Sequence, residues 1–288
     1  MNSEFQKSGY LHEDYRIFHN ADTQKKEIPF HYHDFHKLVL FLSGNVSYIV
    51  EGRQYGLRPR DMVLVGAGQI HRPVIHDHSL SERIIFYISP HYFEHYLQGG
   101  TDLYQCFAHC SRHQSYLVRP EDNSQVPLQR LVADIKASVR DSGYGADLYR
   151  RIKLAELLLL INRSLQKKTY ATEKEAASNP AVLQAMDYIN RHLSDDSLSV
   201  DAIAYEVALN RSYLMHLFKA QSGYTIGEYI KEKRLFHACT MLESGSSVTD
   251  ACFESGFKNY AAFYYAFRKK YNASPAQGHF SERHVEDE

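Results

Sequence analysis

The sequence predicts an α+β protein: an amino-terminal β-barrel with a helical extension, followed by an all-α carboxy-terminal domain built from two helix-turn-helix units. Three observations predict it. Short apolar runs alternate with turn residues over the first ninety positions, and from Gln125 apolar residues recur at helical spacing instead. After Pro180, a unit of roughly 48 residues occurs twice.

The chain has 288 residues, enough for two ordinary domains with separate cores. Its 44% hydrophobic and 23% charged residues exclude the disordered and fibrous classes. The start MNSEFQKSGY lacks a basic-then-apolar leader pattern, and runs such as Leu157 to Ile161 are far too short to span a bilayer. Four scattered cysteines (Cys106, Cys110, Cys239, Cys252) do not form a secreted disulfide framework. A cytoplasmic protein without membrane association is therefore expected. Net charge is -1, and residues 180–280 hold ten Lys plus Arg against ten Asp plus Glu, so any attraction to nucleic acid must come from charge placement.

In chain order, strands are expected at Lys37 to Leu42, Val46 to Val50, Met62 to Val65 and Arg83 to Ile88. Turn residues punctuate them at Ser43-Gly44-Asn45, Glu51-Gly52-Arg53, Pro59-Arg60-Asp61 and Gly66-Ala67-Gly68. Such spacing suits a small barrel over residues 1–120. Two amphipathic helices follow over residues 121–168, marked by Leu128, Leu131, Val132 and Ile135, then by Leu148, Ile152, Ala155, Leu158 and Leu159. The second has more apolar surface than one side needs and is a candidate for pairing with a second chain. Residues 169–179 are polar and read as a linker; residues 180–280 form the helical domain, and 281–288 an acidic tail.

Each repeat copy opens with a helix-capping serine (Ser199, Ser247), passes small residues before a turn (Val207-Ala208, Ser255-Gly256), and closes with an apolar pair (Leu214 and Phe218; Phe263 and Phe267). Capping-box patterns follow at Thr225 to Glu228 and Ser274 to Gln277. Each unit thus pairs a short helix (Asp201 to Ala208; Thr249 to Ser255) with a longer one (Arg211 to Gln221; Asn259 to Tyr271). On the longer helix, Tyr213, Leu214, Leu217 and Phe218 are expected inward, with Ser212, Met215, His216 and Lys219 outward. A bridging helix, Thr225 to Glu243, is expected to bury Ile226, Tyr229, Ile230, Ala238, Met241 and Leu242. Lys231, Lys233, Arg234, Lys258, Arg268, Lys269 and Lys270 are expected to meet DNA phosphates.

The segments LSVDAIA, LNRSYLMHLFKAQSG, IGEYIKEKRL and GFKNYAAFYYAFRKKYNASP, from Leu198 to Gln277, resemble the AraC/XylS signature in order and spacing. The resemblance implies a sequence-specific transcription regulator, an activator governed by a small molecule in the barrel, rather than an enzyme. Double-stranded DNA, RNA polymerase and a second copy of the chain are the implied partners; a sugar or glycoside is the implied effector. Base contacts are implied for Ser212, Met215, His216, Tyr260, Ala261, Tyr264 and Tyr265, with Arg211, Lys219, Lys258, Asn259 and Lys269 completing the DNA-binding set. Tyr265 stands where the family commonly has Arg, and Gln277 to Phe280 departs from its usual ending.

PFHYHDFHKLVLFLSG and GLRPRDMVLVGAGQIHRP resemble the cupin-like sensor domain of such regulators. A metal-binding cupin uses His-x-His, a Glu four residues on, and a later His. Here His31, His33 and His71 take the histidine places, but Lys37 replaces the carboxylate and Gly66 a usual Pro. His31, His33, His36 and His71 are therefore expected to line an effector pocket, with no metal and no cofactor. The alternative is a four-histidine site in a metal-dependent cupin enzyme or metal sensor. Cys106, His109, Cys110 and His113 share one helical face, but ligands on one helix do not close a tetrahedral site without strain.

Overall fold

The computed structural model describes residues 11, 13–23, 27–97, 100–120, 125–167, 170–173 and 179–277. Two compact units divide the chain, one made almost wholly of residues up to 177 and the other of Ser178–His284 with the short segment Glu51–Arg53. No helix among the described residues is long and apolar enough to cross a membrane.

Among the described residues, the first unit holds nine strands in two sheets. β1 (Tyr15–Asp22), β7 (Ser81–Ile88), β2 (His36–Ser43), β5 (Met62–Val65), β8 (Leu117–Pro120) and β9 (Tyr170–Glu173) form one sheet in that spatial order. β4 (Arg53–Gly56), β3 (Val46–Val50) and β6 (His71–Ile75) form the other. The four predicted strands are present, two with their expected ends. β6 escaped notice because Pro73 interrupts its pattern, yet it is an edge strand with one partner, where a missing donor is tolerated. β9 corrects the linker expected over 169–179: Tyr170–Glu173 pairs antiparallel with β8, using that strand's open edge. The acidic tail lies outside the described residues.

Strand alternation gives the barrel two distinct faces. Along β2, Lys37, Val39 and Phe41 line a cavity between the sheets, joined by Arg83 and Ile85 of β7 and Tyr48 of β3. On the other face, helices α1 (Pro90–Leu97), α2 (Gln105–His113), α3 (Gln125–Arg140) and α4 (Ala146–Lys167) close the core. Leu128, Leu131 and Ile135 of α3 meet Leu154, Leu157, Leu158 and Ile161 of α4 there. Leu148 and Ile152 were expected in the apolar stripe but are exposed on the first turns of α4. Asp61 is buried and receives a two-pronged bond from Arg119, at 2.8 and 2.6 Å, which ties β8 to the turn before β5.

His36 lies on the helix-facing side, between Phe93, Tyr104 and Phe107, and its Nδ1 accepts from the Ala67 N–H at 3.1 Å. Burial pushes its pKa down to about 4. The unfolded chain takes up a proton near pH 6.5, the ordinary value of the group, so stability is full above that pH and falls by about 1.4 kcal/mol per unit towards the folded value. The expected result is a urea midpoint that drops between pH 7 and 5 in the full-length protein and drops less in His36→Asn. Equal slopes would assign the acid sensitivity to other groups.

The second unit is helical: α5 (Pro180–Arg191), α6 (Val200–Glu206), α7 (Arg211–Ser222), α8 (Ile226–Glu243), α9 (Val248–Glu254) and α10 (Tyr260–Tyr271), then a 3-10 turn at Pro275–Gln277. The repeat is visible in the caps. Ser199 and Ser247 accept from the third backbone N–H beyond them, and Asn210 and Asn259 cap α7 and α10. Thr225 and Glu228 form the full reciprocal capping box; at Ser274 the Gln277 side chain accepts from the backbone N–H at 2.7 Å. α8 carries Leu235, Ala238 and Cys239 into a core with Ala251, Cys252, Phe263, Phe267 and Tyr271. Ile226, Tyr229 and Ala238 are buried as expected, whereas Ile230, Met241 and Leu242 are only half-buried.

Candidate nucleic-acid interface and effector site

Both longer helices of the repeat split into two faces. In α7, Leu214 and Phe218 are buried while Arg211, Ser212, Met215, His216 and Lys219 are exposed. In α10, Phe263, Phe267 and Tyr271 are buried; Tyr260, Ala261, Tyr265, Arg268 and Lys269 are exposed, Tyr264 is half-buried, and Lys258 and Asn259 stand exposed at its entry. The twelve residues of the DNA-binding set therefore lie on or beside these two helices, whereas Lys231, Lys233 and Arg234, also expected to meet phosphates, lie on α8. Asn259 is the cap rather than the first helical residue, because its side chain accepts from the Ala262 N–H at 2.8 Å. Arg211 pairs with Asp201 across the first turn at 3.0 Å.

Three expectations need correction. Tyr213 was placed inward but is 57% exposed: the buried stripe of α7 is the narrower i, i+4 pair Leu214 and Phe218, and Tyr213 falls on its flank. Arg234 does not point outward; its guanidinium donates to the carbonyls of Leu193 and Asp195 at 2.9 and 3.1 Å. Lys270 is paired with Glu232 at 2.7 Å with each side chain 9% exposed, joining α10 to α8 inside the domain. Basic residues at helical spacing do not reveal which of them a buried acid will claim. Of the α10 cations, Arg268 and Lys269 remain on the outer face.

In the barrel, the structure brings His31, His33 and His71 together and leaves His36 apart. His31 and His33 alternate along an extended segment, and His31 pairs with His71 through two backbone hydrogen bonds of 3.1 and 2.9 Å. Ring centroids lie 4.9, 4.4 and 5.0 Å apart for the three pairs, and all three residues are buried. Burial holds His71 well below its usual pKa, with His31, Lys37 and His33 adding in that order, so it is neutral. Cys106 and Cys110 point into the core, where burial pushes the Cys106 thiol up and the Cys110 thiol up to about 12. Inert buried thiols of this kind pack as apolar residues.

The cavity measures about 450 Å³ including its mouth and is lined mainly by apolar side chains, with Lys37 and Arg83 as its charged groups. Lys37 is almost fully buried, its Nζ 5.6 Å from the Tyr87 ring centre, and Arg83 pairs with Asp22 at 3.0 Å. Sequence reasoning named Lys37 only as a lost ligand. The signal that places it in the cavity is its odd position, in step with Val39 and Phe41.

Two Asn-capped helices with polar outer faces, together with a barrel that holds a largely apolar cavity between its sheets, define a DNA-binding regulator with a small-molecule domain. The chain belongs to the AraC-type family of transcription regulators: an AraC-like ligand binding domain matches residues 15–161, half of the chain, and a helix-turn-helix domain matches residues 203–278. It is 27% identical over 250 residues to the HTH-type transcriptional activator RhaS of Shigella sonnei (strain Ss046), covering 86% of each chain. RhaS of Escherichia coli (strain K12 / DH10B) gives the same identity and coverage. Among solved structures, apo ToxT K231A from Vibrio cholerae strain SCE256 covers 94% of this chain and 98% of its own at 15% identity and TM-score 0.37. The DNA-binding domain of AdpA in complex with a target DNA covers 34% and 88%, at 21% identity and TM-score 0.33.

Proposed function

We propose that the protein is a cytoplasmic, homodimeric transcription activator in which α7 and α10 read successive turns of the major groove, roughly 34 Å apart, under control of a small molecule in the barrel. The observation that carries it is the repeated, outward polar face of two Asn-capped helices. Ser212, Met215, His216, Tyr260, Ala261, Tyr264 and Tyr265 take the base-edge role; Arg211, Lys219, Lys258, Asn259 and Lys269 position the backbone. Activation is supported by the likeness to the transcriptional activator RhaS, and RNA polymerase is the partner that an activator requires. A catalytic role is not part of the proposal. Dimerisation is supported by Leu148, Tyr149 and Ile152, which α4 leaves exposed side by side, and sedimentation of the full-length protein tests it.

The cavity favours an effector with an apolar body and an acidic group over the sugar or glycoside expected from the sequence, because its walls are largely apolar and both lining charges are basic. Thermal shift with panels of aliphatic and aromatic acids against sugars separates the two.

For the DNA reading, His216→Ala is expected to cost about 1 to 3 kcal/mol on the preferred site and to relax its sequence preference. Lys269→Ala is expected to weaken binding to all sequences alike and to lower the salt slope by about one. Binding titrations over a salt series check both, and an unchanged preference or an unchanged slope would remove the corresponding role.

A further inference from the structure

The geometry points to a resident divalent metal ion of the zinc class held by the Nε2 atoms of His31, His33 and His71 in the barrel, with a fourth position left for water or an acidic ligand. The inference does not depend on the DNA reading, and it runs against the expectation of no metal that the Glu-to-Lys37 replacement gave.

Three observations carry it. The ligand atoms of the three imidazoles lie within 4.8 Å of one another, the one such group found among the described residues. A tetrahedral ion with Zn–N near 2.0 to 2.1 Å needs nitrogens about 3.3 Å apart, so closing the shell takes ring rotations rather than backbone movement. Second, two of the rings are already oriented as metal ligands are. His31 Nδ1 lies 2.8 Å from the Pro29 carbonyl and His71 Nδ1 lies 3.0 Å from the Gln69 carbonyl. A carbonyl only accepts, so both Nδ1 atoms carry a proton, and in the neutral ring that leaves the lone pair on Nε2. Anchoring the far nitrogen on a fixed acceptor in this way sets the tautomer a metal requires. Third, His71 Nε2 is buried without a hydrogen-bond partner among the described residues, an arrangement that costs free energy unless something else satisfies it.

The backbone supports the same arrangement. The paired N–H and C=O groups of His31 and His71 fix two ligands on opposing strands, and the 4.4 Å stack of Phe35 on the His33 ring fixes the third. Lys37 is the one feature that opposes a cation, since its charge reaches His71. An anion in the fourth position offsets both charges. Three imidazoles beside a lysine therefore suit an ion whose last ligand is an acidic group from the effector or a hydroxide.

The test uses untagged full-length protein. After chelation and re-addition of Zn²⁺ or Co²⁺ alone, the expected results are one ion per chain, a melting temperature raised by several degrees, and an X-ray absorption spectrum showing imidazole nitrogen and no sulfur. His71→Ala is expected to lose at least about 100-fold in affinity, while surface His113→Ala keeps it. Failure of the wild-type protein to take up either ion at micromolar concentration would overturn the site, as would uptake unchanged in His71→Ala. Sulfur in the shell would assign the ion to the cysteines instead. Should His71→Ala not fold, the wild-type spectrum and stoichiometry decide alone.

Discussion

Gly256→Ala is expected to destabilise the full-length protein by about 3 kcal/mol or more and to abolish DNA binding. Gly256 ends the turn between α9 and α10 at φ +94°, outside the range an L side chain adopts comfortably. A Cβ there would overlap the Leu193 carbonyl and come within 2.7 Å of Arg234 Nε. The same carbonyl accepts from Arg234, so there is no slack on either side. Relief requires moving the backbone after α5 or breaking the Arg234 bridge, and each loosens the position of α10. The equivalent turn of the first unit holds Ala208 at φ +51°, in the milder left-handed region. Ala208→Gly should therefore change stability by no more than about 1 kcal/mol. Urea titration of both variants provides the comparison. An unchanged midpoint for Gly256→Ala would mean that the turn is not fixed as described.

The second large effect concerns the ion pair between Glu232 and Lys270. Removing one partner, as in Lys270→Met, leaves a carboxylate in surroundings that expose only 9% of it and is expected to cost about 3 to 5 kcal/mol. Replacing both, Glu232→Leu with Lys270→Met, removes the stranded charge and is expected to recover most of that loss. The two charges act within the domain, so the doubly replaced protein should keep the wild-type salt slope for DNA, unlike Lys269→Ala. A mild effect of Lys270→Met on stability with a reduced salt slope would restore Lys270 to the phosphate contacts.

Much of the architecture is legible in the residues. The repeat predicts both helix-turn-helix units because capping serines, small turn residues and apolar pairs are local features, each requiring little knowledge of what lies across the core. Val46 to Val50 and Met62 to Val65 are legible as strands for the same reason. What is not legible depends on distant partners. β9 exists because β8 offers an edge, and Lys270 turns inward because Glu232 waits on another helix. His36 is the instructive intermediate case. Strand parity separates position 36 from 31, 33 and 37, so the period of two already argues against a four-histidine group. Proximity in sequence concealed that signal. The base-contact positions all fall on or beside the two candidate helices, whereas the cavity is lined by Lys37, Tyr48 and Arg83, residues on three strands whose register no local pattern discloses.

The most direct test of the central claim is binding of the full-length protein to the DNA flanking its own gene, against scrambled DNA of equal length and composition, across a salt series. The account predicts tighter binding to the native sequence at every salt concentration, with His216→Ala narrowing the difference and Lys269→Ala preserving it. Equal binding to both DNAs, with and without added metal and candidate acids, would contradict sequence reading by α7 and α10.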